Sequence, residues 1–280
     1  MKSIQFTAFL FLFSLSALGQ TTPSPGILAR IALVSDTHTT RGAAEDQPRY
    51  RGRLDKVIAA VNETHVDLIL IAGDLTQDGK PEELADFKDQ IRGFRAPVWF
   101  VPGNHDIGNK VVRGKESETT LSPFRVSRFE MRCGPSIFAR ELAGIRIIGL
   151  NSPILGSGFA REKAMWRFLE KELAHPAAMP TLVFMHYPPF TKTPDEPGDY
   201  WNIEPEPRHR LLDLLHRGGV QTVLTGHLHR TLTNRSNGIF FITTGPVSFG
   251  LPRGKQPQGW TLVTVQPGGK VDAAFCPIKD

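Results

Sequence analysis

Five short apolar runs of this 280-residue chain are each followed at once by side chains that commonly bind metal ions. The segments that follow the runs are Ser35-Asp36-Thr37-His38, Gly73-Asp74, Gly103-Asn104-His105-Asp106, His186 and Gly226-His227-Leu228-His229. Short apolar runs bounded by turn signals predict buried strands. In an open α/β sheet the carboxyl ends of neighbouring strands form one crevice, so we expect these side chains to converge there.

The rest of the pattern predicts a layered α/β fold. Strands alternate with amphipathic helices as far as Gly226, and only strands follow, which suggests two sheets that share one core. The predicted strands are 29–34, 67–72, 97–101, 137–142, 145–150, 181–185, 220–224, 239–243, 260–265 and 271–275, the fourth and fifth forming a hairpin. The predicted helices are 52–63, one that opens at Pro81, 159–174 and 208–217. Residues 39–50, 107–135 and 187–207 are predicted long loops, which in compact domains are usually functional.

Composition excludes intrinsic disorder and gives little sign of a nucleic-acid partner. The chain is 40% hydrophobic and 22% charged, and its net charge of +5 is spread along the sequence without a basic block. The proline-rich segment 187–207 carries one lysine, Lys192, against a set of acids: Asp195, Glu196, Asp199, Glu204 and Glu206. An acidic segment is a poor surface for a phosphate backbone, so we predict no nucleic-acid partner.

The first nineteen residues predict a signal peptide. Lys2 precedes an apolar run over residues 4–18, and small residues follow at Ala17-Leu18-Gly19, where a signal peptidase would cleave. An uncleaved anchor is the alternative, although a run of 15 residues is short for a membrane span. We therefore predict a signal peptide at 1–19, a linker at 20–26 and one domain at 27–280, in a protein that is exported to the periplasm or secreted, with no stable membrane span.

The two cysteines leave two interpretations open. In an oxidising compartment Cys133 and Cys276 can form a disulfide, and a loop of that length would gain several kcal/mol of stability in the chain-entropy model. Two separate buried thiols fit the sequence equally well.

The five strand-end segments together predict a metal centre. Three carboxylates, one amide oxygen and five imidazoles at one sheet edge need cations to neutralise and orient them. Oxygen and imidazole ligands without thiolate suit Mn, Fe, Zn, Co or Ni, and the sequence does not choose among these metals.

The same series of motifs resembles the calcineurin-like metallophosphoesterase superfamily, and the resemblance runs from about residue 29 to 280. It implies a four-layer α/β/β/α sandwich of two mixed sheets, with two divalent or trivalent transition-metal ions at the strand carboxyl ends. It also implies which residues bind them. The first metal would be held by Asp36, His38 and His229, the second by Asn104, His186 and His227, and Asp74 would bridge the two. His105 would face the substrate, with Asp106 behind it orienting the ring.

Two details indicate which groups of the superfamily this sequence is most similar to. Gln77 stands where purple acid phosphatases have a tyrosine ligand, which disfavours that class. The segment 73–79 is similar to class III cyclic-nucleotide phosphodiesterases. Segments 101–109 and 199–202 are more similar to the calcineurin-like phosphoesterase-domain-containing protein 1 group, which includes a protein serine/threonine phosphatase.

The expected activity is hydrolysis of a phosphate ester. Two cations about 3.5–4 Å apart can each bind a phosphoryl oxygen and share a hydroxide that attacks phosphorus in line. His105 would give a proton to the leaving oxygen. A phosphomonoester or phosphoprotein substrate is slightly preferred. The alternatives are a phosphodiesterase on cyclic nucleotides or glycerophosphodiesters, and a non-catalytic protein that binds phosphate esters through the metals.

Overall fold

The computed structural model of the protein describes residues 26–42, 46–112, 114–115 and 119–279. The predicted signal peptide and all but the last residue of the predicted linker lie outside these ranges, and both stay predictions. None of the helices within the described ranges combines the length and the apolar character that crossing a bilayer requires.

Five strands form the first sheet, which is mixed. They are β1 (Ala29–Val34), β2 (Leu68–Ala72), β3 (Val98–Val101), β10 (Gly259–Val265) and β11 (Val271–Pro277), and their order is β11-β10-β1-β2-β3. β1, β2 and β3 run parallel, with Ile31 opposite Leu68, whereas β10 and β11 are antiparallel to their neighbours. The three parallel strands therefore end at the same edge of the sheet.

Six strands form the second sheet, which is also mixed. They are β4 (Phe138–Leu142), β5 (Ile145–Gly149), β6 (Thr181–Phe184), β7 (Thr222–Thr225), β8 (Leu232–Ser236) and β9 (Ile239–Thr243), in the order β4-β5-β6-β7-β9-β8. β5, β6, β7 and β9 are parallel, and β4 and β8 are antiparallel edge strands.

Alternating residues of the central strands face different layers, as the pleat of a strand requires. In β1 and β2, Ile31, Leu33 and Leu70 belong to an apolar cluster that also contains Ile147 and Phe184 of the second sheet. Their chain neighbours Ala32, Val34, Ile69 and Ile71 belong instead to a cluster that includes helical residues such as Leu54 and Phe87. One core thus lies between the sheets, and the outer face of each sheet is covered.

Helices flank the two sheets in two groups. They are α1 (Asp46–Thr64), α2 (Pro81–Gln90), α3 (Asn104–Ile107), α4 (Pro123–Cys133), α5 (Ala160–Glu172) and α6 (Pro205–Arg217). In one group Gln90 donates to the Arg51 carbonyl, which joins α2 to α1. In the other, the Arg210 guanidinium of α6 lies over the Trp166 ring of α5. The predicted fold class, an α/β sandwich of two mixed sheets between helices, is confirmed.

Local sequence signals account for most elements but miss α3, α4 and β8. The hairpin of β4 and β5 is confirmed, and both turn residues, Ala143 and Gly144, have positive φ as a two-residue hairpin turn needs. Helix α4 lies inside the predicted loop 107–135; five of its eleven residues are polar or charged, and only Val126 and Phe129 are buried. Strand β8 is a mostly polar edge strand, and α1 begins earlier than predicted.

Both cysteines are free thiols in the structure, so the disulfide alternative is not formed there. Burial raises the pKa of Cys133 to about 12, which makes this thiol a poor nucleophile at neutral pH.

Candidate metal centre

Every predicted site segment follows a strand that ends at the same side of the sandwich. β1, β2 and β3 of the first sheet lead into Asp36, Asp74 and Asn104 within three residues of their ends, and β6 and β7 of the second lead into His186 and His227. All seven predicted ligands are buried. The structure therefore brings together residues that are up to 193 positions apart in the chain, as the strand order predicts.

The backbone at this edge is strained where it presents the ligands. Five of the seven predicted ligands, Asp36, His38, Asp74, His227 and His229, have φ between 47° and 70°, in the left-handed region that disfavours side chains. Only three other described residues apart from glycines share this conformation. Such strain costs about 1–3 kcal/mol per residue and concentrates at functional sites.

The first cluster of ligand atoms is formed by Asp36, His38, Asp74 and His229, whose ligand atoms all lie within 4.8 Å of one another. Nε2 of His38 is 3.3 Å from Nε2 of His229 and 3.7 Å from Oδ2 of Asp74. Nε2 of His229 is 3.3 Å from Oδ1 of Asp36. Two carboxylates and two imidazoles thus point at one small volume.

The second cluster consists of Asp74, His186 and His227, again within 4.8 Å, with Asn104 beside them. Nε2 of His186 is 3.2 Å from Oδ2 of Asp74 and 3.0 Å from Oδ1 of Asn104. Asp74 belongs to both clusters, so its carboxylate occupies the bridging position that the resemblance implies. The two clusters match the two implied ligand sets.

Backbone carbonyls fix the tautomers of two ligand imidazoles. Nδ1 of His186 is 2.7 Å from the Ala72 carbonyl, and Nδ1 of His229 is 2.5 Å from the Phe249 carbonyl. Because a carbonyl can only accept, each Nδ1 carries the hydrogen, and the lone pair lies on Nε2, which faces the centre.

The other two ligand imidazoles are oriented in the same way. Nε2 of His227 donates to the Tyr200 carbonyl at 3.0 Å, so Nδ1 retains the lone pair. Nδ1 of His38 lies 2.9 Å from the side-chain oxygen of Gln77, which leaves Nε2 for the centre. This arrangement, in which one nitrogen donates outward and the other keeps its lone pair, is typical of metal-binding histidines.

The charge states in the pocket also fit cations. Burial lowers the pKa values of His38 and His227 and keeps these imidazoles neutral, as metal ligands must be. Burial raises the pKa of Asp36, and its Oδ1 is buried without a hydrogen-bond partner. A buried carboxylate oxygen without a donor is costly, and a bound cation would satisfy it.

The pKa shifts of Asp74 and His186 indicate that this site stabilises positive charge. Burial opposes protonation of His186, but the Asp74 carboxylate outweighs that effect and raises the pKa of His186 to about 9. Burial also opposes ionisation of Asp74, yet the surrounding imidazoles hold its pKa well below the usual range. A negative bridging carboxylate is therefore favoured.

His105 faces outward from the cluster, but Asp106 does not orient it. Nδ1 of His105 donates to the Gln77 carbonyl at 2.7 Å, which leaves Nε2 free of that bond. The Asp106 carboxylate accepts hydrogen bonds from the backbone N–H groups of Gly103, Leu75 and Thr76 at 2.8–3.1 Å. It caps α3 and ties the loop after β3 to the loop after β2, so the implied ring-orienting role passes to Gln77.

Sequence reasoning missed four residues that orient the ligands. Each accepts a hydrogen bond from a ligand imidazole: Gln77 through its side chain, and Ala72, Tyr200 and Phe249 through their backbone carbonyls. Gln77 and Tyr200 lie in segments that carry the family resemblance, which was a usable signal. Phe249 had no such signal, although its ring lies 4.3 Å from that of His229.

The proline-rich segment 187–207 holds Tyr200 in place, and two of its acids serve that purpose. Glu196 accepts hydrogen bonds from the backbone of Thr191 and Lys192 and from the side chain of Asn202. Glu204 accepts from Lys110 at 2.8 Å. These acids therefore hold the segment together as well as making its surface negative.

Comparison with known proteins agrees with this geometry. The family model described as calcineurin-like phosphoesterase matches residues 29–231, most of the chain. The chain belongs to the calcineurin-like phosphoesterase family. The resemblance drawn from the motifs is thereby confirmed, and the two clusters that share Asp74 are a candidate dinuclear metal site of that family.

The similar proteins are named for several different activities. The chain is 30% identical over 210 residues to the serine/threonine-protein phosphatase CPPED1 of Danio rerio, a match that covers 70% of this chain and 64% of that protein. It is 34% identical over 188 residues to a probable glycerophosphodiester phosphodiesterase GpdQ of Arcobacter nitrofigilis, covering 65% and 63%. A probable cyclic nucleotide phosphodiesterase of Vesicomyosocius okutanii is 27% identical, over 68% of this chain and 74% of the relative. The chain spans slightly less than two thirds of the first two relatives.

Solved structures share the fold at low identity. A dimetal phosphatase from Danio rerio superposes with a TM-score of 0.58 at 14% identity, covering 90% of this chain and all of the other. Purple acid phosphatase PPD1 from yellow lupin superposes with a TM-score of 0.63 at 15% identity, covering 89% and 51%. These likenesses establish the sandwich fold of the family.

Proposed function

We propose that this protein is a metal-dependent phosphoric ester hydrolase that uses two transition-metal ions. The observation that carries the proposal is the shared carboxylate of Asp74, which lies within 4.8 Å of the ligand atoms of both clusters. A carboxylate shared between two sets of imidazoles suits a pair of cations, and such pairs are typical of phosphoryl-transfer sites.

The chain's own residues supply the remaining chemistry. Two bound cations would act as Lewis acids and lower the pKa of water at the site. His105 Nδ1 is engaged with the Gln77 carbonyl, so a protonated His105 would present its Nε2 hydrogen to the leaving oxygen. The backbone N–H of His105 donates to Oδ1 of Asp74 at 2.9 Å, which keeps the His105 ring next to the two clusters.

The substrate proposal favours a phosphomonoester or phosphoprotein, with a phosphodiester as the alternative. Relatives named as CPPED1 serine/threonine-protein phosphatases support the first. Relatives named as probable glycerophosphodiester and cyclic nucleotide phosphodiesterases support the second. Mn, Fe, Zn, Co and Ni all suit the donor set of imidazoles, carboxylates and one amide oxygen.

The test is hydrolysis of p-nitrophenyl phosphate and bis-p-nitrophenyl phosphate after reconstitution with Mn²⁺. Turnover of either ester that is lost in Asp74→Asn supports the hydrolase, and the preferred ester identifies the substrate class. Binding of inorganic phosphate without turnover of either ester, with two metals bound, would favour the non-catalytic binding protein instead.

We also propose that the protein is exported and that a signal peptidase cleaves after Gly19. The basic start, the apolar run over residues 4–18 and the small residues before the linker support this. Mass spectrometry of protein recovered from its native cell tests the proposal. A mature chain that begins at Gln20 supports it, and an intact N-terminus contradicts it.

A further inference from the structure

A cavity of about 380 Å³ opens directly beside His105 and Asn104. Its lining also includes Arg125 and Arg128, which are three residues apart in α4 and therefore lie on the same face of that helix. Both guanidinium groups are only half-buried, so they can contact a molecule that enters the cavity.

The described residues that line the cavity carry more positive than negative charge. The carboxylate of Asp78 is paired with Lys80 at 2.6 Å, so these two lining residues neutralise each other. Within the part of the chain that the structure describes, neither Arg125 nor Arg128 has a carboxylate at ion-pair distance, and Glu82 acts on Arg128 only from further away. Among the described residues that line the cavity, Arg125 and Arg128 therefore leave two positive charges without a paired carboxylate.

The two like charges of Arg125 and Arg128 repel each other, which is unfavourable for the folded protein. Burial lowers the pKa of Arg128, and the neighbouring charges of Arg125 and Arg132 lower it further. Like charges three residues apart on a helix destabilise it. A bound anion would relieve this repulsion, and the planar guanidinium forks suit a carboxylate or a phosphate.

One short segment positions both the arginine wall and His105. Arg128 donates from Nη2 to the Gly79 carbonyl at 2.8 Å, and His105 donates from Nδ1 to the Gln77 carbonyl at 2.7 Å. Residues 77–79 thus fix the cavity wall relative to the ring that faces the leaving oxygen. A leaving group that accepts the proton of His105 would extend into this cavity.

We propose that Arg125 and Arg128 bind a second anionic group, a carboxylate or a phosphate, on the leaving alcohol of the substrate. This inference rests on the proposed hydrolase function, because His105 defines the side on which the alcohol departs. It narrows the substrate class to phosphate esters whose alcohol portion is itself negatively charged.

The kinetic test uses two monoesters that differ in one group. The alcohol portion of 3-phosphoglycerate carries a carboxylate, and that of glycerol 3-phosphate carries a neutral hydroxymethyl group in its place. We expect a higher kcat/KM for 3-phosphoglycerate and a roughly tenfold smaller ratio between the two substrates in Arg125→Gln, mainly through KM. Arg125→Lys should restore part of the preference. The matched control is Arg132→Gln, an exposed arginine one turn further along α4 that does not line the cavity.

A binding measurement separates this inference from the proposed function. Calorimetry on His105→Ala, with and without Arg125→Gln, would compare the affinities for 3-phosphoglycerate and glycerol 3-phosphate. Tighter binding of 3-phosphoglycerate that is lost with Arg125→Gln supports the anion site even if neither ester is hydrolysed. Equal affinities for the two esters, or a preference that survives in Arg125→Gln, overturn it, whatever the turnover on p-nitrophenyl phosphate.

Discussion

The backbone N–H of His105 donates to Oδ1 of Asp74 at 2.9 Å, while Oδ2 of the same carboxylate lies 3.2 Å from Nε2 of His186. One carboxylate therefore joins the two candidate ligand clusters and also fixes the backbone of His105, the residue that we propose faces the substrate. Because both contacts depend on the same side chain, we expect metal binding and the position of His105 to be coupled.

Replacing Asp74 by asparagine should reduce the metal content of the protein. The amide oxygen can still accept from the His105 backbone, but the negative charge shared by the two clusters is lost. We expect bound metal, measured by plasma mass spectrometry, to fall from about two ions per chain to one or fewer, and turnover to fall at least about 100-fold. Asp89→Asn, at an exposed carboxylate paired with Arg92, is the control and should keep both ions. Full metal content in Asp74→Asn would contradict the bridging position.

Replacing His105 by alanine should slow the hydrolysis of esters with poor leaving groups. If Nε2 of His105 protonates the leaving oxygen, turnover of glycerol 3-phosphate should fall by about 10²–10⁴. Turnover of 2,4-dinitrophenyl phosphate should fall much less, because its leaving group needs no proton. His209→Ala, at an exposed histidine of α6, is the control and should leave both rates unchanged. Equal losses with the two esters would remove the acid role.

Replacing Gly103 by alanine should destabilise the protein and disturb the metal centre. A methyl group at this position would overlap Oδ1 and the backbone nitrogen of Asp74. Overpacking of this kind costs about 1–3 kcal/mol of unfolding free energy, measured by urea denaturation, and should also lower metal content. Gly52 in α1 is the matched control, because no atom lies within 4 Å of the added methyl group. Gly52→Ala should stabilise by about 0.5–1 kcal/mol through helix propensity. An unchanged free energy of unfolding in Gly103→Ala would show that the loops after β2 and β3 can move apart without cost.

Replacing Glu196 by glutamine should cost more stability at neutral pH than in acid. Burial alone would raise the pKa of Glu196, but hydrogen bonds from Asn202 and from the backbone of Thr191, Lys192 and Thr193 outweigh it and hold the pKa below the ordinary 4.5. The ionised carboxylate therefore stabilises the fold above about pH 4.5, and this contribution is lost as the pH falls through the folded-state pKa.

Urea denaturation at pH 7 and at pH 3 measures the effect. Glu196→Gln should be less stable than the natural protein by about 1–2 kcal/mol at pH 7, and the difference should shrink towards pH 3. Asp195→Asn, at an acid of the same segment whose side chain is 90% exposed, should show no such difference at either pH. A difference of the same size at both pH values would mean that the ionised form is not what stabilises the segment.

The order of elements could be predicted from the sequence wherever a segment buries an apolar face. β2 is a continuous apolar run and β1 is one apart from Arg30, and both were predicted within a residue of their observed bounds. Strand β8 was missed because four of its five residues are polar, although it forms a hairpin with β9 across Asn237-Gly238, a turn signal that the sequence offered. Helix α4 was missed because only two of its eleven residues, Val126 and Phe129, are buried. Only the fold showed that Arg125 and Arg128 of α4 line the same cavity as His105.

The sequence by itself determined which side chains converge at the candidate metal centre, because strand ends and their glycine turns are local signals and parallel strands bring their ends together. Only the tertiary structure decided how each ligand is held. The hydrogens on the imidazoles of His186, His227 and His229 are placed by the carbonyls of Ala72, Tyr200 and Phe249. Every residue has a backbone carbonyl, so no residue type marks these acceptors in the sequence. The hydrogen-bond partners of Asp106 could not be predicted for the same reason. They are backbone N–H groups of two loops, which only the fold brings within reach of its carboxylate.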